Sequence, residues 1–279
     1  MNYREYAPSG PTSRFIKCYW FLKDDSPTPA LQRIVPDGRP ELIFNLGQPF
    51  ESQKDGKWSR QPESFFAGQI TGPLLIRPGG PARMFGMRFH PHGARQLLGL
   101  PIRELTDSVI ALGDLSQALL RQLGRLHDLR SLAQQILALD QTMQLFAQQP
   151  AEPRVSHAVQ EFERTGGLMS VSTVANQVGL SSRQLERLFR DAVGIPPKLF
   201  CRMQRFQRVF RAIESNSPEW VNVAVDCGYY DQAHLIHDFR EFSGKTPASL
   251  LTRELDIATH FLQSPQMSHF SNTGKTNFL

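Results

Sequence analysis

The strongest constraint on the fold of this chain is an internal repeat close to its end. Residues 181–197, SSRQLERLFRDAVGIPP, align with residues 231–247, DQAHLIHDFREFSGKTP, at a constant offset of 50, with Leu, Phe, Arg, Gly and Pro matching. Upstream the offset is 49, because Ala175 matches Ala224 and Gly179 matches Gly228. Two copies of one supersecondary unit therefore follow each other, and the second has one extra residue in its turn.

Each copy carries the signals of two short helices joined by a turn. Gly179 and Gly228 suit the left-handed backbone conformation at a helix C-terminus. Ser181 and Asp231 are residues that cap the start of the next helix, and Gln184 completes an S-x-x-Q capping box with Ser181. This order of signals predicts a helix-turn-helix, the unit whose second helix enters the major groove of DNA.

A single helix is predicted between the two units, over residues 196–214. It has an apolar stripe and an arginine at every third position from Arg202 to Arg211. A helix of about 18 residues is about 27 Å long, close to the ~34 Å between successive major grooves on one face of DNA. It would hold two reading helices in successive grooves, although its basic face is also compatible with plain solvated surface.

Residues 228–247, GYYDQAHLIHDFREFSGKTP, resemble the second unit of the AraC-family DNA-binding domain, which typically reads G-F-x-D-Q-S-H-F-x-R-x-F-[KR]-x-x-x-G-x-[ST]-P. The resemblance extends over about residues 155–253. Two positions depart from the pattern: Ala233 replaces the usual Ser, and His237 replaces the usual Arg or Lys. The resemblance implies a bacterial transcription regulator, more often an activator, that binds double-stranded DNA and has RNA polymerase as a partner.

The same resemblance implies which residues touch DNA. The base-reading residues on the two recognition helices are Ser182, Arg183, Glu186, Arg187, Gln232, Ala233, Ile236 and His237. Their side chains include those that pair with guanine, cytosine and adenine edges or contact a thymine methyl group. The residues expected to contact phosphates, which position the protein without specifying sequence, are Arg190, Arg202, Arg240 and Lys245.

The first half of the chain has a different pattern. Short aromatic and aliphatic runs alternate with Pro and Gly up to about residue 92, which predicts a small β-barrel or sandwich. Residues 36–47, PDGRPELIFNLG, and 85–94, FGMRFHPHGA, resemble the domains found ahead of many AraC-type domains. That resemblance implies a sensor domain, often a cupin-like barrel, for an unidentified small-molecule effector.

Aromatic residues supply candidate walls for an effector pocket in that barrel. The four candidates are Trp20, Phe44, Phe66 and Phe85. An apolar pocket inside a barrel would use such side chains, and the alternative is that each belongs to the ordinary core.

The predicted organisation is an α+β chain of two domains. Residues 1–149 form the sensor domain, β-rich and then helical, and residues 150–154 form a linker. Residues 155–262 form the DNA-binding domain, and residues 263–279 are expected to be a disordered tail. Leucines recur at helical spacing over residues 114–147. Their apolar faces need a partner, either the barrel or a second subunit, and the second case would make the protein a homodimer.

The net charge of +5 does not by itself mark the DNA-binding half. Residues 1–149 contain 17 Lys/Arg and 13 Asp/Glu, hence +4, whereas residues 150–279 contain 14 and 13, hence +1. Positive charge for DNA must therefore be arranged locally in the second half. No apolar run approaches the ~20 residues of a membrane helix and no signal peptide is recognised, so we expect a cytoplasmic protein without a membrane partner.

No catalytic or cofactor site is predicted. The three cysteines lack metal-ligand spacing, and His90 and His92 are not followed by a carboxylate at the spacing of a cupin metal site. We therefore expect no metal, no cofactor and no enzyme activity. Two alternatives stay open: a metal-dependent enzyme tethered to DNA, which metal analysis would detect, and a constitutive DNA-binding protein whose first domain only dimerises.

Overall fold

A computed structural model describes residues 2–25, 31–129, 131–146, 152–212 and 219–251. The expected tail, the last part of the predicted DNA-binding domain (252–262) and the first two linker positions lie outside these residues. Within them the chain is α+β, as predicted, with a β-rich first half and a helical second half.

Ten strands in the described ranges form two antiparallel sheets. The strands are β1 (Asn2–Tyr6), β2 (Ile16–Asp24), β3 (Gln32–Ile34), β4 (Glu41–Asn45), β5 (Glu51–Lys54), β6 (Lys57–Arg60), β7 (Ser64–Ala67), β8 (Leu74–Arg77), β9 (Ala82–Phe89) and β10 (Val109–Ala111). The six-stranded sheet has the order β1-β2-β9-β4-β7-β10, and the four-stranded sheet has the order β3-β8-β5-β6.

The expectation of a closed cupin-like barrel is wrong. The strands β1 and β10 are edges of the larger sheet, and β3 and β6 are edges of the smaller one. The two sheets pack face to face through one apolar cluster that contains Trp20 and Ile43 from the larger sheet and Ile76 from the smaller. Alternating apolar residues are shared by barrels and sandwiches, so the sequence pattern could not distinguish them.

Eleven helices are found in the described ranges, along with three short 3-10 turns at Gly10–Arg14, Ile102–Leu105 and Gly124–Asp128. The helices of the first half are α1 (Gly93–Leu98), α2 (Leu112–Leu115), α3 (Gln117–Leu123) and α4 (Leu132–Phe146). Those of the second half are α5 (Pro153–Arg164), α6 (Val171–Gln177), α7 (Ser182–Val193), α8 (Pro197–Ala212), α9 (Trp220–Asp226), α10 (Gln232–Ser243) and α11 (Pro247–Leu251).

The leucine stripe of the first half is covered within one chain. Its buried members share one core with Phe44 and Phe85 on the larger sheet. They are Leu119, Leu123, Leu126, Ile136, Leu139 and Met143. Of the large apolar residues of α4, only Leu137 and Leu145 are exposed. The feature that suggested a homodimer is thus explained by packing on the sheet, and the homodimer stays a prediction without that support.

A buried carboxylate fixes α4 to the beginning of the chain. Asp140 is 3% exposed, and it accepts hydrogen bonds from the hydroxyls of Ser9, Thr12 and Tyr19. The Thr12 bond is 2.8 Å long. A buried carboxylate is tolerated when several donors satisfy its oxygens, so these contacts specify where α4 lies on the sheet.

The second half is built on a single core that includes the helix-turn-helix repeats. Its first helix begins at Pro153, two residues inside the segment predicted as the linker. Cys201 and Cys227 are free and buried, as expected for small core residues. None of the helices in the described part of the chain has the length and hydropathy to cross a membrane.

Candidate nucleic-acid interface

The first predicted recognition helix, α7, begins and ends as its sequence requires. The backbone N–H of Ser181 donates to Gln184 Oε1 at 2.9 Å, and the backbone N–H of Gln184 donates to Ser181 Oγ at 3.3 Å. The predicted capping box is therefore confirmed. Gly194 ends the helix with φ = +97°, a backbone conformation that residues with a Cβ rarely adopt.

The side chains proposed to touch DNA lie on the exposed face of α7. Leu185 and Phe189 are buried on its inner face. The outer face carries Ser182, Arg183, Glu186, Arg187 and Arg190, all exposed. Arg190 forms an ion pair with Glu186 on this face, at 3.1 Å. The outer face is therefore polar, basic and open to a partner.

The second predicted recognition helix, α10, repeats this arrangement with differences. Asp231 caps it by accepting from the backbone N–H of His234 at 2.7 Å, and Gly244 ends it with φ = +69°. Of the residues assigned to DNA, Ala233, His237 and Arg240 are exposed, whereas Gln232, Ile236 and Lys245 are partly buried. Ile236 also packs against the domain core, so less of this helix face is free for bases.

Arg202, expected to contact a phosphate, is occupied by protein carboxylates. Its Nη2 lies 2.7 Å from Asp238 Oδ1 and 2.5 Å from Glu241 Oε2, both on α10. Its guanidinium also lies 5.1 Å from the ring centroid of Phe242. These contacts make Arg202 a link between α8 and the second recognition helix. Sequence reasoning missed Asp238 and Glu241, although their spacing of three places both on one face of α10.

The same acidic pair forms the one group of metal-type ligands found among the described residues. His237, Asp238 and Glu241 offer ligand atoms within 4.8 Å of one another. The guanidinium of Arg202 is already paired with both carboxylates. His90 and His92 are mostly buried, and this burial, with the nearby Arg39, lowers the pKa of each to about 4. They belong to no described group of three metal-type ligands.

A cavity of about 100 Å³ lies between the two sheets of the first half. Its walls come from both sheets and include Trp20, Ile43, Ile76 and Met84. Of the four aromatic residues proposed for a pocket, only Trp20 lines it. The other three point to the opposite face of the larger sheet, where they join the core with the helices: Phe44, Phe66 and Phe85.

One end of this cavity is charged. Arg88 Nε lies 2.6 Å from Glu41 Oε1 and 3.8 Å from Asp37 Oδ2, and its Nη1 lies 3.3 Å from Glu5 Oε1. Burial raises the pKa of Glu41, and the nearby Arg88 offsets this effect only in part. Arg88 thus pairs with three carboxylates at this end, and a second guanidinium, that of Arg39, lines the same cavity.

The loop over residues 35–39, VPDGR, joins this charged end to the helical half. Asp37 and Arg39 line the cavity, and Arg39 Nη2 also lies 2.5 Å from Glu163 Oε1 on α5. Gly38 has φ = +78°, and a Cβ at this position would lie 2.8 Å from the ring of Phe200 on α8. The loop thus touches the cavity and the DNA-binding half at once.

Val35, in the same loop, belongs to the core of the helical half. The backbone oxygen of Pro36 also accepts a hydrogen bond from Gln207 Nε2 at 3.4 Å. The sequence motif PDGRPE is therefore a connector between the two halves, a role that its resemblance to sensor domains did not reveal.

Comparison with known proteins adds family information to this geometry. Residues 174–253 match a family model described as a helix-turn-helix domain. Residues 4–111 match a domain of unknown function, DUF6597. The probable transcription factor PqrA of Proteus vulgaris is 24% identical over 104 residues, which cover 37% of this chain and 84% of PqrA.

Two solved structures are also similar. ToxT from Vibrio cholerae aligns over 84% of this chain and 97% of its own, at 7% identity and a TM-score of 0.45. A transcriptional regulator from Chromobacterium violaceum, described as an AraC-type DNA-binding domain-containing protein, aligns over 37% of this chain and 96% of its own. Its identity is 26% and its TM-score is 0.33.

The capped helix-turn-helix pair, the matched domain and the similarity to a transcription factor define the class: this is a DNA-binding transcription regulator. Its C-terminal domain is a helix-turn-helix domain of the AraC type, preceded by a DUF6597 domain. The resemblance of residues 228–247 to that family is thereby confirmed.

Proposed function

We propose that this regulator reads a specific DNA sequence with α7 and α10 in two adjacent major grooves and that a small molecule controls its occupancy. The observation that carries the DNA part is the pair of capped helices, α7 with an exposed outer face and α10 with a partly exposed one, in two units joined by α8. At 16 residues, α8 is about 24 Å long. In this proposal residues 1–149 sense and residues 155–262 read.

The two reading helices are not equivalent in this proposal. The outer face of α7 carries Arg183 and Arg187, which can pair bidentately with guanine. The matching face of α10 carries Ala233 and His237, and its Ile236 is partly buried. We expect α7 to provide most of the sequence discrimination, and α10 to contribute a weaker preference.

Selection of bound sequences from a random DNA pool tests this reading. The full chain at a fixed salt concentration is expected to enrich two short blocks about one helical turn, or 10–10.5 base pairs, apart. Enrichment of one block alone would assign reading to a single unit. Salt-sensitive binding without any enrichment would contradict sequence-specific recognition.

Two substitutions separate base reading from phosphate contact. Arg187→Ala is expected to cost about 1–3 kcal/mol on the selected site and to relax the preference at one base pair. Arg240→Ala is expected to weaken binding equally on selected and random DNA and to reduce the salt slope by about one. Identical behaviour of the two variants on both DNAs would contradict the division of roles.

The effector part of the proposal rests on the cavity between the sheets. Its walls are apolar, its far end is charged, and the loop 35–39 connects it to α5 and α8. A ligand with an apolar body and a polar group would fill it and contact Asp37 or Arg39. Since Arg39 also pairs with Glu163 on α5, ligand binding would favour one arrangement of the two halves over another.

A thermal-shift screen of metabolite-sized molecules tests the effector. Ligands that raise the unfolding temperature of the wild-type chain are expected to have no effect on Ala67→Leu, whose larger side chain fills the cavity. A ligand that stabilises both proteins equally binds elsewhere. Stoichiometric iron, zinc or manganese in the purified protein would instead favour a metal-dependent enzyme.

A further inference from the structure

The recognition helix α7 shares its outer face with a residue of the first half. A groove of about 410 Å³ runs along this face. It is lined by Arg103, Arg183, Glu186, Arg187, Arg190 and Asp191. All but one belong to α7. Arg103 comes from the 3-10 turn Ile102–Leu105, which follows α1 in the N-terminal domain.

The turn that carries Arg103 is docked on the C-terminal end of α7. Arg103 forms an ion pair with the carboxylate of Asp191. Arg95 Nη1 donates to the backbone oxygen of Asp191 at 3.1 Å, and Thr106 Oγ1 donates to the backbone oxygen of Gly194 at 2.8 Å. Carbonyl groups at a helix C-terminus lack hydrogen-bond partners within the helix. The side chains of Arg95 and Thr106 supply such partners and so fix the N-terminal domain against the end of α7.

The groove is basic and only partly neutralised. It contains four guanidinium groups and two carboxylates, which leaves two positive charges in excess. Glu186 pairs with Arg190, and Asp191 pairs with Arg103. Within the described part of the chain, no carboxylate forms an ion pair with Arg183 or Arg187. A polyanion entering this groove would therefore meet favourable charge along its length.

Arg103 is held in place and still open to solvent. Its side chain is 48% exposed although it is paired with Asp191. An exposed pair of this kind contributes little to folding, because water screens both charges. The guanidinium of Arg103 can therefore replace the carboxylate of Asp191 with another anionic oxygen at small cost in free energy. A phosphate oxygen offers the same type of acceptor as the carboxylate of Asp191.

We propose that Arg103 contacts a DNA phosphate beside the bases read by α7, so that the N-terminal domain forms part of the DNA interface. This inference rests on the proposed DNA recognition by α7. The Arg95 and Thr106 contacts hold the turn against α7 and thereby place Arg103 at the wall of the groove. DNA binding and docking of the two halves are then coupled, because each favours the arrangement that the other requires.

The test measures the salt dependence of DNA binding by the full-length protein, on the selected site and on random DNA. Arg103→Gln is expected to reduce the salt slope by about one and to lower affinity about fivefold at 0.15 M salt, by the same factor on both DNAs. The control is Arg60→Gln, which removes the same charge from an exposed position on β6 of the four-stranded sheet. It should alter neither the salt slope nor the affinity.

Asp191→Asn separates phosphate contact from docking. It breaks the same ion pair but keeps Arg103 and removes a negative charge from the groove, so affinity should stay equal or rise and the slope should not fall. If Arg103 only docks the two halves, both variants will lower affinity alike and leave the slope unchanged, which overturns the inference. Wild-type protein that enriches no site would refute the proposed recognition instead.

Discussion

Removal of the Arg202 charge should loosen the second recognition helix. Asp238 is 1% exposed, and its partner Arg202 retains 22% exposure. Loss of one partner of a buried pair leaves an uncompensated charge, which typically costs about 3–5 kcal/mol. Because Arg202 is partly exposed, we expect about 3 kcal/mol for Arg202→Met, which keeps apolar contact with Phe242.

Native-state hydrogen exchange, resolved by mass spectrometry of the peptides that cover α10, measures this local stability. A loss of about 3 kcal/mol corresponds to roughly 150-fold faster exchange of the α10 amides. The control is Arg190→Met, which breaks the exposed pair with Glu186 on α7. Both partners there are 51% exposed, so α7 should change by about 0.5 kcal/mol or less.

A less than tenfold change in α10 exchange for Arg202→Met would refute the buried-pair argument. Combining Arg202→Met with Asp238→Leu should restore much of the protection, because no buried charge then lacks a partner. DNA binding gives an independent readout. A positioning role predicts weaker binding with an unchanged salt slope, whereas a slope reduced by about one would return Arg202 to the phosphate contacts.

Two further predictions concern the first half and its junction with the second. Gly38→Ala and Gly56→Ala both place a side chain at positive φ, at a cost of about 1–2 kcal/mol each. A Cβ at Gly38 would also clash with the ring of Phe200 in the helical half, whereas nothing lies within 4 Å of a Cβ at Gly56. Gly38→Ala should therefore lower the unfolding temperature more, and equal shifts would show that the loop contact is unimportant. Folding lowers the pKa of His90 and of His92 to about 4. Below pH 6.5 the unfolded chain therefore binds more protons than the folded chain, and the free energy of unfolding should fall between pH 6.5 and 4. The expected loss is about 2 kcal/mol per histidine at pH 5. Denaturant titrations should show a weaker pH dependence when both are changed to Gln, while the exposed His157→Gln should keep the wild-type dependence.

Local signals in the sequence predicted the DNA-binding half well. The capping box of Ser181 and Gln184, the cap at Asp231 and the left-handed conformations of Gly179 and Gly228 all depend on hydrogen bonds or torsion angles within a few residues. Such interactions form in the same way wherever the helix later packs. The repeat then showed that these units occur twice.

The candidate site was only partly accessible to sequence reasoning. The exposed face of α7 follows from helical periodicity, because Leu185 and Phe189 must turn inward. Arg202 looked like a free basic residue, since nothing local indicated that Asp238 and Glu241, on another helix, would meet it. Trp20 lines the cavity between the sheets, whereas Phe44 and Phe85 lie on the opposite face of the larger sheet. Their sequence does not indicate which face of the sheet borders the cavity.

The sequence by itself determined the helix-turn-helix units, their caps and the α+β division of the chain, because periodicity and capping act over a few residues. Only the tertiary structure decided that the sheets stay open, that loop 35–39 reaches α5 and α8, and that Arg103 lies beside the recognition helix. These features join residues far apart in the chain. Their contacts depend on how whole elements pack, and no local pattern encodes that arrangement.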